Sequence, residues 1–273
     1  KNQLANESEM FIYSDAPKDD AIVVQEVQNY IRTIDGFKKV IIIERETHQG
    51  LADNIIDGVT KIVNKYGRVI VLEDDLVTSP FFLRFMNDAL DFYQNEEKVM
   101  HISGYTSPIS TDKLPETVFT RVTGCWGWAT WAEKWQYFER NISYLDSKFT
   151  RKMKCQFNRM SGNFFWRQIE QNKSGKINTW FIFWYASVFL KGGLCLCPRD
   201  SMVQNIGFDG SGVHCGVRTN YLSQPLADKP VEFFETNLQE SMEFFQREKI
   251  FRKSQKPSLL KRIINKLLKM IRK

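Results

Sequence analysis

Three runs of branched apolar residues, MFIYSD (10–15), KKVIIIERE (38–46) and RVIVLEDD (68–75), are each followed by a segment whose apolar residues recur at helical spacing. The first is followed by AIVVQEVQNYIRTI, the second by GLADNIIDGVTKIVNKYG (50–67), which Gly67 closes. The third leads into SPFFLRFMNDALDFYQNEE (79–97), with Ser79 as the expected N-cap and Pro80 in the first turn. Strands that alternate with helices of this length return to one sheet by crossovers. The pattern therefore predicts an α/β chain with a mostly parallel sheet covered by helices on both faces. After VMHISGY (99–105) the alternation stops. GCWGWATWAEKWQYF (124–138), the stretch 163–193 and LCLCP (194–198) read as aromatic-rich helices and short strands. One domain in two halves is expected, 1–105 and 106–246, followed by a tail, 247–273.

With 273 residues, 42% of them hydrophobic, the chain can bury a sizeable core. Its net charge of +6 would suggest a nucleic-acid partner if it were evenly spread. It is not. Residues 247–273 hold eleven Lys and Arg against Glu248 alone, a net ten, so residues 1–246 stand at −4. A mildly acidic body is a poor binder of phosphate backbones, and no nucleic-acid partner is expected.

The five cysteines (125, 155, 195, 197 and 215) form no pair of CxxC knuckles, which fits a reducing compartment rather than a zinc site or disulfide framework. Cys195 and Cys197 alternate as small core residues of a strand would. No stretch reaches the run of about eighteen apolar residues that a membrane-spanning helix needs. PSLLKRIINKLLKMIRK (257–273), however, places Leu and Ile on one helical face and six Lys and Arg on the other. That pattern predicts an amphipathic helix lying on an anionic membrane surface, with each basic residue worth about 1 kcal/mol there.

Glu73, Asp74 and Asp75 stand together at the carboxyl end of the third apolar run. Such a triplet is either a solvated turn or a place where a cation compensates crowded carboxylates. At the carboxyl end of a parallel strand, where ligands gather, a hard cation such as Mn2+ or Mg2+ would bridge the carboxylates to a diphosphate. GFDGSGVHC (207–215), with three glycines in six positions, suits a loop that closes over such a ligand.

In order, FIYSDAPKDD, GLADNIIDGV, VIVLEDDLVTSPFFLRFM, HISGY, GCWGWATWAEKW and CLCPRDSMVQNIGFDGSGVHC span about residues 10–215. In these segments the chain resembles the GT-A glycosyltransferases, of the N-acetylglucosaminyltransferase I type and related bacterial polysaccharide enzymes. The resemblance implies a Rossmann-like, mostly parallel sheet with an aromatic-rich acceptor half. It also implies metal-dependent, inverting transfer from a UDP-sugar to a glycan or lipid-linked acceptor in surface polysaccharide synthesis, at the cytoplasmic face of a bacterial plasma membrane. Asp75 would then hold the metal, joined by His214. Glu73, Asp74, Asp15, Arg45, Asn54, Gly210 and Ser211 would contact the nucleotide-sugar, and Trp126, Trp128, Trp131 and Trp180 the acceptor.

Two departures from that pattern matter. Phe181 stands where the relatives carry the aspartate that deprotonates the acceptor, which leaves Asp209, Glu133 or Asp200 for the role. The nine residues before the first strand are also too few for the strand and helix that open such domains, so a first strand and helix missing from this chain are expected. A non-catalytic sugar-nucleotide or glycan-binding partner of a transferase is the alternative reading.

Overall fold

The computed structural model describes residues 2–210 and 224–255. The first half begins with β1 (Glu9–Ser14), α1 (Ala21–Ile31), β2 (Lys39–Glu44), α2 (Leu51–Tyr66), β3 (Arg68–Val71), β4 (Leu76–Thr78), α3 (Phe82–Phe92) and β5 (Val99–Ser103). The second half opens with β6 (Thr117–Thr120), β7 (Trp128–Trp131) and four helices: α4 (Ala132–Trp135), α5 (Ile142–Lys148), α6 (Arg151–Phe157) and α7 (Phe164–Lys173). Then come α8 (Phe181–Leu190), β8 (Leu194–Pro198), β9 (Val203–Asn205) and α9 (Met242–Ser254). Local signals act where they were read. Asp20 caps α1 by accepting the N–H groups of Ile22 and Val23, and Gly67 ends α2 at φ 79°, a left-handed conformation that costs glycine least.

The sheets overturn the expected architecture. β1 and β2 run parallel, but they form a two-stranded ribbon of their own. β3 lies instead at the edge of a five-stranded sheet ordered β3-β7-β5-β8-β6, paired antiparallel to β7. Within that sheet only β5 and β8 pair in parallel; β5–β7 and β6–β8 are antiparallel. A third pair, β4 and β9, is antiparallel as well. Small and mostly antiparallel or mixed sheets are not the Rossmann-like layer implied by the GT-A resemblance, and neither that fold nor that family assignment stands. The physical reason lies in the second half of the chain. TVFT (117–120), WATW (128–131) and LCLCP (194–198) are buried at every position. β7 takes the place between β3 and β5, and β8 and β6 lie beyond β5, so these fully buried strands fill the sheet.

Helices cover both faces of the five-stranded sheet. α3 lays Phe82, Met86 and Leu90 against Ile102, Phe119 and Trp131 on one face, while Val59 and Val63 of α2 and Trp184 and Val188 of α8 pack with Trp128 on the other. A separate, mainly helical cluster gathers Leu145, Phe157, Trp166 and Tyr185. The two halves of the chain thus share one sheet. At the crossing point Gly104 N–H donates to Gly127 C=O at 2.7 Å. Gly127 sits at φ 59°, and a Cβ there would lie 3.0 Å from Phe82 Cε2, so glycine is needed for both conformation and space. Among the described residues no helix is long and apolar enough to cross a membrane.

Candidate functional site

β3 ends at Val71, and the chain turns through Glu73, Asp74 and Asp75 before β4 begins. Asp74 is exposed, whereas Glu73 and Asp75 are half-buried. Asp75 is held in place by the segment after β9. Its Oδ2 accepts from Asn205 Nδ2 at 2.9 Å, and Asn205 Oδ1 accepts from Gly207 N–H at 2.9 Å. Ile206 N–H donates to the Asp75 carbonyl. Gly207 leaves no room for a side chain, since a Cβ would stand 2.7 Å from Asp75 Oδ2. The result is a carboxylate fixed through one oxygen, while Asp75 Oδ1 is buried and has no hydrogen-bond donor among the described residues.

Glu73 lies beside it. Burial, reinforced by the charges of Asp75 and Asp74 and only partly offset by a hydrogen bond from Trp180, pushes Glu73 up to about 7. Cys125 is part of the same neighbourhood: burial first, then Glu73 and Asp75, push its thiol far up, so it stays a neutral wall. Two carboxylates crowded at the edge of low-dielectric surroundings, one with an unpaired buried oxygen, present negative charge that the described side chains do not compensate. Among the described residues no group of three or more His, Cys, Asp or Glu side chains gathers to hold a metal. A hard cation held here would be anchored by one or two carboxylates and completed by oxygens of its ligand.

The aromatic residues divide. Trp126 is partly exposed and packs edge-on against Tyr105 and Phe208, at 4.5 and 5.4 Å between ring centroids. Phe208 adjoins Gly207, so Trp126 borders the Asp75 turn. Trp128 is 0% exposed, stacked between His101 and Trp180. Trp131 is buried and donates its indole N–H to Leu90 C=O. Trp180, at the start of α8, is buried and directed to Glu73. These three belong to the interior in this arrangement and offer no open face.

Asp15, Arg45 and Asn54 come together, but on one another. Asp15 Oδ1 accepts from Gln49 N–H at 2.9 Å and Ala16 N–H at 3.0 Å, and Oδ2 accepts from Gly50 N–H at 2.7 Å. Burial alone would raise its pKa, yet the Gln49 and Gly50 N–H groups, with Asn54 and His48, outweigh it and hold the carboxyl below its usual range. Arg45 donates from Nε to Asn54 Oδ1 at 2.8 Å and pairs with Asp57. This network locks the ends of β1 and β2 to the first turns of α2, and most of its hydrogen-bonding capacity is used internally.

Of the three carboxylates singled out as bases, Asp209 ends the short 3-10 helix Gly207–Asp209, two residues from the Asp75 contact. Glu133 pairs with Lys134 at 2.7 Å on α4. Asp200 accepts from Arg199 and Thr111. Phe181 opens α8 and packs against Trp180. Gly210 follows the 3-10 helix at φ 102°, while Ser211, His214 and the basic segment 257–273 lie outside the described residues. Asn205 and Gly207 carry the site's geometry and were not singled out in the sequence. The signal available was the Asn-x-Gly spacing, which marks a side chain capping its own turn.

No protein-family model matches the chain, and no curated protein matches it either.

Proposed function

We propose that the chain is a divalent-cation-dependent glycosyltransferase that takes a sugar from a UDP-sugar and passes it to a glycan or lipid-linked acceptor in surface polysaccharide synthesis. The observation that carries this reading is the oriented Asp75 carboxylate, whose buried Oδ1 lacks a donor, beside a second carboxylate, Glu73. Mn2+ or Mg2+ bound there would offset the charge of a departing diphosphate. Asp75 would hold it, Asn205 would keep Asp75 aimed, and Glu73 would hold or release a proton near neutral pH. Trp126 would offer an aromatic face to a sugar ring. Asp209, next to the turn, would accept the proton of the attacking hydroxyl. The basic segment 257–273 would keep the protein on the anionic inner face of a bacterial membrane.

A non-catalytic sugar-nucleotide or glycan-binding partner of a transferase is the second reading, since it would use the same cation site without a base. Calorimetric titration with UDP, with and without Mn2+, tests the common core of both. Binding should need the metal and fall at least about tenfold in Asp75→Asn. Metal-independent UDP binding would rule out the cation bridge. Slow hydrolysis of a UDP-sugar by the parent protein would then select the enzyme over the binding module.

A further inference from the structure

A cleft of about 1000 Å3, whose described lining does not include the acidic turn, lies between the stretch 106–116, the segment 199–202 and the stretch 224–232. That is the upper end of the range of roughly 300–1,000 Å3 for ligand sites, more than a single small metabolite needs. Its described lining carries Glu116, Asp200, Asp228 and Glu232 against Arg199 and Lys229, a net −2. Asp200 accepts from Arg199 Nε at 2.9 Å and from Thr111 Oγ1 at 3.2 Å, while the Glu116 carboxylate accepts the N–H groups of Glu232 and Phe233 at 2.7 and 3.0 Å. That excess of negative charge disfavours an anionic ligand.

One lining group is unsatisfied. Gln224 is 7% exposed, its Nε2 donates to Thr106 C=O, and its Oε1 has no donor among the described residues. A buried amide oxygen in that state can accept a hydroxyl or N–H, from a ligand or from water. The apolar part of the described lining is proline and aliphatic, including Pro108, Pro225 and Pro230, with no aromatic ring among the described lining residues. Such walls suit the C–H faces of saturated rings and give a nucleobase nothing to stack on.

We propose that this cleft binds a neutral oligosaccharide, one of whose hydroxyl groups donates to Gln224 Oε1. Ser201 and Met202 on its wall run straight into β9, and Asn205, three residues on, holds Asp75. At about 3.3 Å per strand residue, roughly 10 Å of chain separates the two sites. The glycan's role as the acceptor rests on the transfer reading above; its binding does not.

The test is a glycan array of neutral and acidic oligosaccharides probed with the full chain, followed by calorimetry on the best-retained glycan. Neutral glycans should be retained. Affinity should fall at least about tenfold in Thr111→Trp, which fills the cleft from a half-buried position, and in Gln224→Met, which removes the amide. The Mn2+-dependent UDP titration should be unchanged in both. If Gln224→Met does not fold, Thr111→Trp decides alone. Retention of no glycan, retention of acidic glycans only, or an affinity untouched by Thr111→Trp overturns the proposal. Glycan binding without any UDP binding would instead remove the transfer reading and leave this one standing.

Discussion

Glu73 is the residue whose energetics are most open to measurement. In the unfolded chain it titrates near 4.5 and in the folded protein near 7. Between those values the native state keeps a proton that the unfolded state has lost, so Glu73 makes stability fall as pH rises through this window. The shift corresponds to a cost of up to about 3 kcal/mol above pH 7, at 1.36 kcal/mol per unit. Glu73→Gln, which keeps the shape and cannot ionise, should therefore be more stable than the parent at pH 8 and indistinguishable from it at pH 4. Urea unfolding at the two pH values checks this; an equal effect at both would mean that the carboxyl is not held protonated. The acidic triplet was legible in the sequence as a chemical oddity. Its division into an exposed Asp74, a protonatable Glu73 and an oriented Asp75 was not, because burial depends on Trp180, Cys125 and Asn205, distant in the chain.

At the level of elements, the turn after β9 sets the orientation of Asp75. Asn205 grips the carboxylate, and Gly207 admits it only because it has no Cβ. Gly207→Ala should push the carboxylate aside while leaving the sheet intact. The expected outcome is a loss of at least about tenfold in Mn2+-dependent UDP affinity with a Tm change of only a few degrees, about what 1 kcal/mol produces in a chain of this size. Scanning calorimetry beside the binding titration separates this from general unfolding. α2 was the most legible element, since its periodicity and terminal glycine fix it almost without tertiary context. α3 was less so. Ser79 does not cap it directly; its hydroxyl accepts from Phe81 N–H and donates to Ala227 C=O, tying the turn to a segment 148 residues away. The role of Trp128 and Trp131 was equally hidden, because an aromatic residue in sequence looks the same whether it faces a ligand or a buried sheet.

Across the whole molecule, the alternation of strand and helix in the first half was visible, but the pairing was not. Apolar content states that a segment will be buried, not whether its neighbour runs parallel or antiparallel, and β3 took its partner from beyond residue 125. The outcome is an uneven distribution of support. The five-stranded sheet is sandwiched between α3 on one side and α2 with α8 on the other, while the β1–β2 ribbon has no third strand among the described residues and carries α1, of which Ile31 alone is buried. Two-stranded sheets are marginal on their own. Hydrogen–deuterium exchange should show amides of residues 9–44 exchanging well before those of β5 and β8; simultaneous exchange would mean one cooperative unit.

The apolar outer face of α1, where Ile22 and Tyr30 are 71% and 70% exposed, has a practical consequence. Concentrated solutions should be prone to self-association through this face, and replacing those two residues with Lys and Glu is the natural first step toward a well-behaved sample.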